Sequence, residues 1–183
     1  MRPSVHAFVQ SHLTRAEVEG KSVVEVGSLN VNGTVRDYVM SLGPAEYVGI
    51  DIRAGDGVDE VCDVADLVRR FGRERFDVVI STETLEHVED WKSGITNMKN
   101  VCVTGGILLL TAASRGFPFH QFPGDFWRFE VEDMKRIFSD FDVEVIEPDP
   151  VGTGVFVKVR KPVGFRERDL SDCPVARVDR EGG

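Results

Sequence analysis

Cysteine is scarce in this chain and poorly placed for pairing. Cys62, Cys102 and Cys173 lie far apart and none has C-x-x-C spacing, which excludes a disulfide framework and a cysteine-based zinc site. They are expected to be small buried residues in a reducing compartment. Long apolar runs are missing as well. The longest, Ile107 to Leu110, is far too short to span a bilayer. No apolar signal core follows Met1-Arg2-Pro3-Ser4, so a cytoplasmic protein with no membrane partner is the expectation. Positive charge is in deficit: 22 Lys and Arg against 31 Asp and Glu leave a formal charge of −9. A net-acidic chain binds phosphate backbones poorly, and no nucleic-acid partner is expected. Internal repeats and low-complexity segments are absent too.

What remains is an ordinary globular composition, 42% hydrophobic and 29% charged over 183 residues. That length fits one domain with short terminal additions. Strand and helix patterns alternate. Strands are expected at 21–27, 46–51, 58–62, 76–81 and 107–112, and again at 141–146 and 153–160. Helices are expected at 34–42, from an Asp63 cap to Phe71, at 91–103 with a turn at Gly105-Gly106, and at 130–138. The alternation predicts a doubly wound, Rossmann-like α/β sheet of seven strands. The turn between the last two strands is too short for a crossover helix, so the final strand should be antiparallel in a mostly parallel sheet. Residues 1–20 read as a helical extension, 21–161 as the domain, and 162–183 as a charged tail, loose or loosely docked.

A glycine loop, Glu25-Val-Gly27-Ser28-Leu-Asn30-Val-Asn-Gly33, joins the first strand to its helix. Glycine there allows a sharp turn and close approach of a ligand to the backbone. Asp51 ends the next strand, 24 residues after Gly27, where a carboxylate can accept both hydroxyls of a ribose. An ordinary βα turn with a chance aspartate is the plainer reading. The dinucleotide fingerprint wants further glycines where Leu29 and Asn32 stand. Glu25 would also face a pyrophosphate poorly, whereas it suits a ligand carrying an ammonium and a sulfonium. An NAD(P)-dependent oxidoreductase on a similar fold and a non-catalytic cofactor-binding protein stay open as alternatives.

Four segments, Glu25-Val-Gly27 with Gly33, Val48-Gly-Ile-Asp51, Cys62-Asp63-Val-Ala-Asp-Leu, and Phe76 to Asp90 with its Leu85-Glu-His-Val stretch, together resemble class I S-adenosylmethionine-dependent methyltransferases. They are most similar to the type 11 methyltransferase-domain group, over roughly residues 21 to 160. The resemblance implies S-adenosyl-L-methionine as cofactor. It places Glu25 and Gly27 at the methionine moiety, Asp51 on the ribose, Ile52 against the adenine, and Asp63 and Val64 at the adenine edge and face. Thr82 would sit near the methionine end. The loop has fewer glycines than the group usually shows, and Ser28 or Asn30 would substitute as donors.

Methyl transfer to a hydroxyl needs a base as well as alignment. Two loops at the carboxyl ends of strands offer one. His87, in Glu83-Thr-Leu-Glu-His, reads either as a base or as a histidine bonded to backbone at a helix start. The second loop, Phe117-Pro-Phe-His120-Gln-Phe-Pro-Gly-Asp125-Phe-Trp127-Arg128-Phe, resembles a pattern recurring in the same group. There His120 is the candidate base and Asp125 its orienting partner, with Phe117, Phe119, Phe122 and Trp127 as substrate walls. Arg128 would bind an anionic group or lock Asp125. The competing reading is a self-packed aromatic lid closed by an Asp125–Arg128 pair. No ligand spacing suggests a metal, and none is expected. The expected partner is a small-molecule or sugar-like acceptor, methylated at oxygen. The site is either rather open or closed by the aromatic loop or by the second subunit of a homodimer.

Overall fold

The computed structural model describes residues 1–120 and 124–178. Its main sheet has seven strands: β1 (Ser22–Val26), β2 (Glu46–Asp51), β3 (Glu60–Val61), β4 (Phe76–Thr82), β5 (Cys102–Ala113), β7 (Asp142–Pro148) and β8 (Gly154–Arg160). They run in the order β3-β2-β1-β4-β5-β8-β7. All pairs from β3 to β5 are parallel, and β8 is antiparallel to both β5 and β7. The closing hairpin is therefore as expected. A separate pair joins β6 (Trp127–Arg128) to β9 (Ala176–Arg177).

The central strands are buried on both faces, and alternation along them divides the interior into two layers. Val24, Val26, Val79, Leu108 and Leu110 face one layer, with α5 (Trp91–Val101) and α6 (Val131–Ile137). Val23, Val78, Ile80, Leu109 and Phe156 face the other. That second layer is closed by α1 (Pro3–His12), α2 (Arg15–Val18) and α3 (Arg36–Ser41), with Val5, Phe8, Val9, Leu13 and Val18 buried. The first twenty residues thus supply a good part of one core layer. A capping box between Thr14 and Glu17 starts α2.

Several boundaries differ from the sequence reading. The expected long helix after Asp63 is broken: a 3-10 turn (Val64–Asp66) precedes α4 (Leu67–Phe71). The helix α5 stops at Val101, and β5 starts at Cys102 and runs through the glycine pair expected to be a turn. The strand absorbs it because Gly105 takes a left-handed φ of +78° and the register shifts between Phe76 and Val78. Up to Val178 the tail is docked, the second of the two readings given for it. Leu170 and Cys173 are buried in the first layer, Arg168 N donates to Asp140, and β9 is paired. Spaced apolar residues in a charged, proline-interrupted segment concealed this docking. All three cysteines are buried and free.

Candidate active site

The carboxyl ends of β1, β2 and β4 open into a cavity of about 780 Å³, within the range of small-molecule and cofactor sites. Its floor is the loop after β1. Gly27 has φ +78°, and a Cβ there would overlap the Thr84 side chain, 2.6 Å from its Cγ2. The N–H groups of Gly27 and Ser28 both donate to Ile50 O, at 2.9 and 3.0 Å, fixing the loop against β2. Gly57 in the neighbouring loop is equally constrained, since its Cβ would lie 2.5 Å from Ser28 O.

Of the residues singled out for the cofactor, Glu25, Gly27, Ser28, Gly33, Asp51, Ile52, Asp63, Val64 and Thr82 line the cavity. Asn30 does not. Its carboxamide donates to Asp56 at 2.8 Å and accepts from Gly33 N at 2.9 Å, so it holds the loop together. Asp51 accepts from Arg53 N at 3.0 Å, and Asp63 caps the 3-10 turn through Ala65 N at 2.9 Å. The hydroxyl of Ser28 is buried without a partner among the described residues, a polar atom placed for a ligand. Burial pushes the Glu25 carboxyl up to about 7, an effect only partly offset by the Tyr47 hydroxyl that donates to it.

On the far side, after β4 and β5, the cavity is bounded by Glu83, Thr84, His87, Phe117 and His120. The rings of His87 and His120 meet edge to face, with centroids 4.8 Å apart. His87 Nδ1 is bonded to Gly124 O, and burial lowers its pKa. His120 Nδ1 lies 3.2 Å from Asp125 Oδ2 and 3.2 Å from Pro118 O. Asp125 Oδ2 also accepts from His120 N at 2.9 Å. Burial opposes ionisation of Asp125, but its hydrogen bonds from Arg128 outweigh that and hold the carboxyl below its ordinary value.

The aromatic loop is only partly a substrate wall. Phe117 faces the cavity; Phe119, Trp127 and Arg128 do not. Phe119 is exposed at the surface. Trp127 donates from its indole to Val88 O at 3.0 Å, which pins the loop to the turn after β4. Arg128 is buried. It pairs with Asp125 and donates to Phe117 O and Pro118 O, so it locks the loop and has no free edge for an anion. Phe122 lies outside the described residues.

Three residues with no assigned role prove central. Arg2 reaches from the N-terminus to donate to both oxygens of Glu83, at 2.8 and 2.9 Å, and to Asp149 at 2.7 Å. Nothing local in the sequence signals this. Glu83 adopts φ +52°, a strained backbone of the kind that gathers at functional sites. Glu86 is completely buried, and neither carboxylate oxygen has a partner among the described residues. Burial and the nearby Glu83 raise its pKa well above the carboxylate range. Folding also brings together donors that lie apart in the sequence. Glu86, His87 and His120 each bring one ligand atom within 4.8 Å of the others, because two separate sheet-end loops converge.

Residues 24–110 match the family described as Methyltransferase domain, the type 11 group. Over that segment the chain is similar to methyltransferases. No curated protein matches the chain as a relative. Its fold is shared by an S-adenosylmethionine dependent methyltransferase from Mesorhizobium loti, at 17% identity and TM-score 0.57, over 79% of this chain and 93% of that one. It is shared too by the 1,6-didemethyltoxoflavin-N1-methyltransferase of Burkholderia thailandensis, solved with S-adenosylhomocysteine, at 16% identity and TM-score 0.64, over 88% and 77%. The [4+2]-cyclase SpnF matches at 14% identity and TM-score 0.65, over 84% and 79%. Among the described residues no helix is long and apolar enough to cross a membrane.

S-adenosylmethionine fits the residues present. A cradle with no room for a Cβ at Gly27, the unpartnered Ser28 hydroxyl, and carboxylates at Glu25 and Asp51 match an amino acid joined to a ribose.

Proposed function

We propose that the protein is a methyltransferase acting on a hydroxyl of a small-molecule or sugar-like acceptor. The observation that carries this reading is the His87–His120 pair, which borders the cavity on the β4–β5 side while Asp51 borders it on the β2 side. A hydroxyl needs its proton managed before it can attack carbon, and histidine is the side chain best suited to that near neutral pH. S-adenosylmethionine, when bound, supplies an electrophilic methyl group on sulfur.

In this reading Asp51 holds the ribose and Glu25 the ammonium, while Asp63 and Val64 meet the adenine. His120 activates the acceptor oxygen, with Asp125 fixing its ring, and Phe117 packs against the acceptor. His87, tied to Gly124 O and half-buried, positions His120 through the edge-to-face contact. The cavity is bounded by protein on the Met1–Pro3 side as well, which favours a compact acceptor over a polymer. The test is steady-state kinetics over a panel of hydroxylated and amine acceptors. His120→Ala should cut kcat by about 10²–10⁴-fold while S-adenosylhomocysteine affinity stays unchanged. Turnover of amines alone, indifferent to His120→Ala, would overturn the oxygen acceptor.

A further inference from the structure

We propose that Glu86, His87 and His120 form a binding site for a divalent first-row transition-metal ion at the acceptor end of the cavity. The proposal rests on the reading of that end as the place where the acceptor oxygen is activated, and it changes the means: His120 acts there as a ligand to the metal in place of taking the proton itself.

Three independent features converge there. First, a carboxylate oxygen and one nitrogen from each of two imidazoles lie within 4.8 Å of one another. Metal bonds of about 2.0–2.2 Å need these donors to draw in by roughly 1 Å, which side-chain rotation provides. Second, Glu86 is fully buried with both oxygens unpartnered among the described residues. Buried polar oxygens left without a hydrogen bond are costly and call for an explanation. Arg128, a buried guanidinium close enough to act on it electrostatically, is committed to Asp125 and the Phe117 and Pro118 carbonyls. A cation resolves what the protein leaves open. Third, both rings have the kind of outer partner that ligating histidines usually have. His87 Nδ1 is bonded to Gly124 O, and His120 Nδ1 lies against Pro118 O and the Asp125 carboxylate. Each proton therefore sits on Nδ1, and each Nε2 keeps its lone pair. A carboxylate or backbone carbonyl behind the ring is the common outer partner of a ligating histidine.

Two histidines and one carboxylate suit zinc, iron, cobalt or manganese better than calcium or magnesium, which prefer all-oxygen shells. Three protein ligands leave positions open. His87 and His120 both line the cavity, so those positions face the acceptor. An acceptor hydroxyl bound there would lose its proton to bulk water at lower pH than a free alcohol.

The test is titration of the chelator-treated protein with Co²⁺, followed by visible absorption and calorimetry, with Zn²⁺ as competitor. One site per chain is expected, with a d–d spectrum lost on Zn²⁺ addition. Glu86→Gln and His120→Ala should each weaken binding at least tenfold while circular dichroism stays unchanged. Glutamine is isosteric with Glu86, and the His120 side chain is 36% exposed, so both variants should fold. Absence of stoichiometric binding, or binding indifferent to both substitutions, overturns the site. S-adenosylhomocysteine affinity is measured on the same chelated protein. Normal affinity without Co²⁺ binding removes the metal site alone, whereas loss of both removes the underlying reading of the cavity.

Discussion

Gly27 and Thr84 meet in the same small volume from the loops that follow β1 and β4, and only the absence of a Cβ on Gly27 lets both stand. Thr84 Oγ1 donates to Thr82 O at 3.0 Å and to Val26 O at 3.3 Å, so it has little freedom to retreat. Gly27→Ala should therefore displace the loop, both by overlap and by its left-handed φ of +78°. Strain of this kind costs about 1–3 kcal/mol. Thermal unfolding should show the loss, and calorimetry should show S-adenosylhomocysteine binding collapse. Gly27→Ala with Thr84→Gly should recover part of both.

Asp51 and Asp63 separate binding from stability. Asp51→Ala should weaken S-adenosylhomocysteine by about 1.5–3 kcal/mol, the scale of hydrogen bonds to a charged group. Asp63→Ala should lose about 1 kcal/mol of stability with its cap. Asp63→Asn keeps a capping oxygen and exposes the ligand contribution alone. Equal calorimetric affinity in wild type and Asp51→Ala would remove that residue from the ribose.

The Glu25 carboxyl, held up to about 7 against an ordinary value of 4.5, makes both folding and binding depend on pH. Between those values the folded protein keeps a proton that the unfolded chain has released. This group's contribution is complete below pH 4.5 and fades as pH rises through 7, at about 1.4 kcal/mol per pH unit at most. Denaturation midpoints should fall over that window, and Glu25→Gln should flatten the fall. An ammonium on the ligand prefers the carboxylate, so S-adenosylhomocysteine affinity should rise with pH up to about 7. Calorimetry in buffers of different ionisation enthalpy should register proton release on binding.

Arg128 and Asp125 should behave as a structural pair. The Asp125 side chain is 0% exposed and that of Arg128 7% exposed, and removing one partner strands a buried charge. Arg128→Met should cost about 3–5 kcal/mol in urea denaturation, and Arg128→Met with Asp125→Asn markedly less. Arg128→Lys should fail to substitute, because a lysine cannot span two carboxylate oxygens and two carbonyls as a fork does.

What the sequence made legible was what depends on local pattern. Alternating apolar runs marked the strands, the short turn before β8 marked the antiparallel closure, and Glu25, Gly27 and Asp51 marked the cofactor side through their spacing. The acceptor side was less readable. Trp127 looked like a wall because aromatic residues in a loop advertise contact, yet its indole is spent on backbone carbonyls; of the two readings of Arg128, anion binder or lock on Asp125, the lock is the one its contacts show. Asn30 looked like a donor but holds its own loop together. Arg2, Glu83 and Glu86 drew no attention, since Arg2 meets Glu83 across 81 positions of chain and a buried carboxylate has no signature in composition. The grouping of Glu86 and His87 with His120 exists only once β4 and β5 are paired.

The pairing of β6 with β9 ties the acceptor side to a late part of the sequence. Trp127 and Arg128 hold the loop that presents His120 and Phe117, and their strand partners are Ala176 and Arg177, with Val178 N donating to Phe126 O at 2.8 Å. The cofactor cradle takes its residues from the chain up to Asp90. A chain lacking residues 176–178 would lack the strand that backs the loop carrying His120 and Phe117, and its acceptor wall would be unfinished.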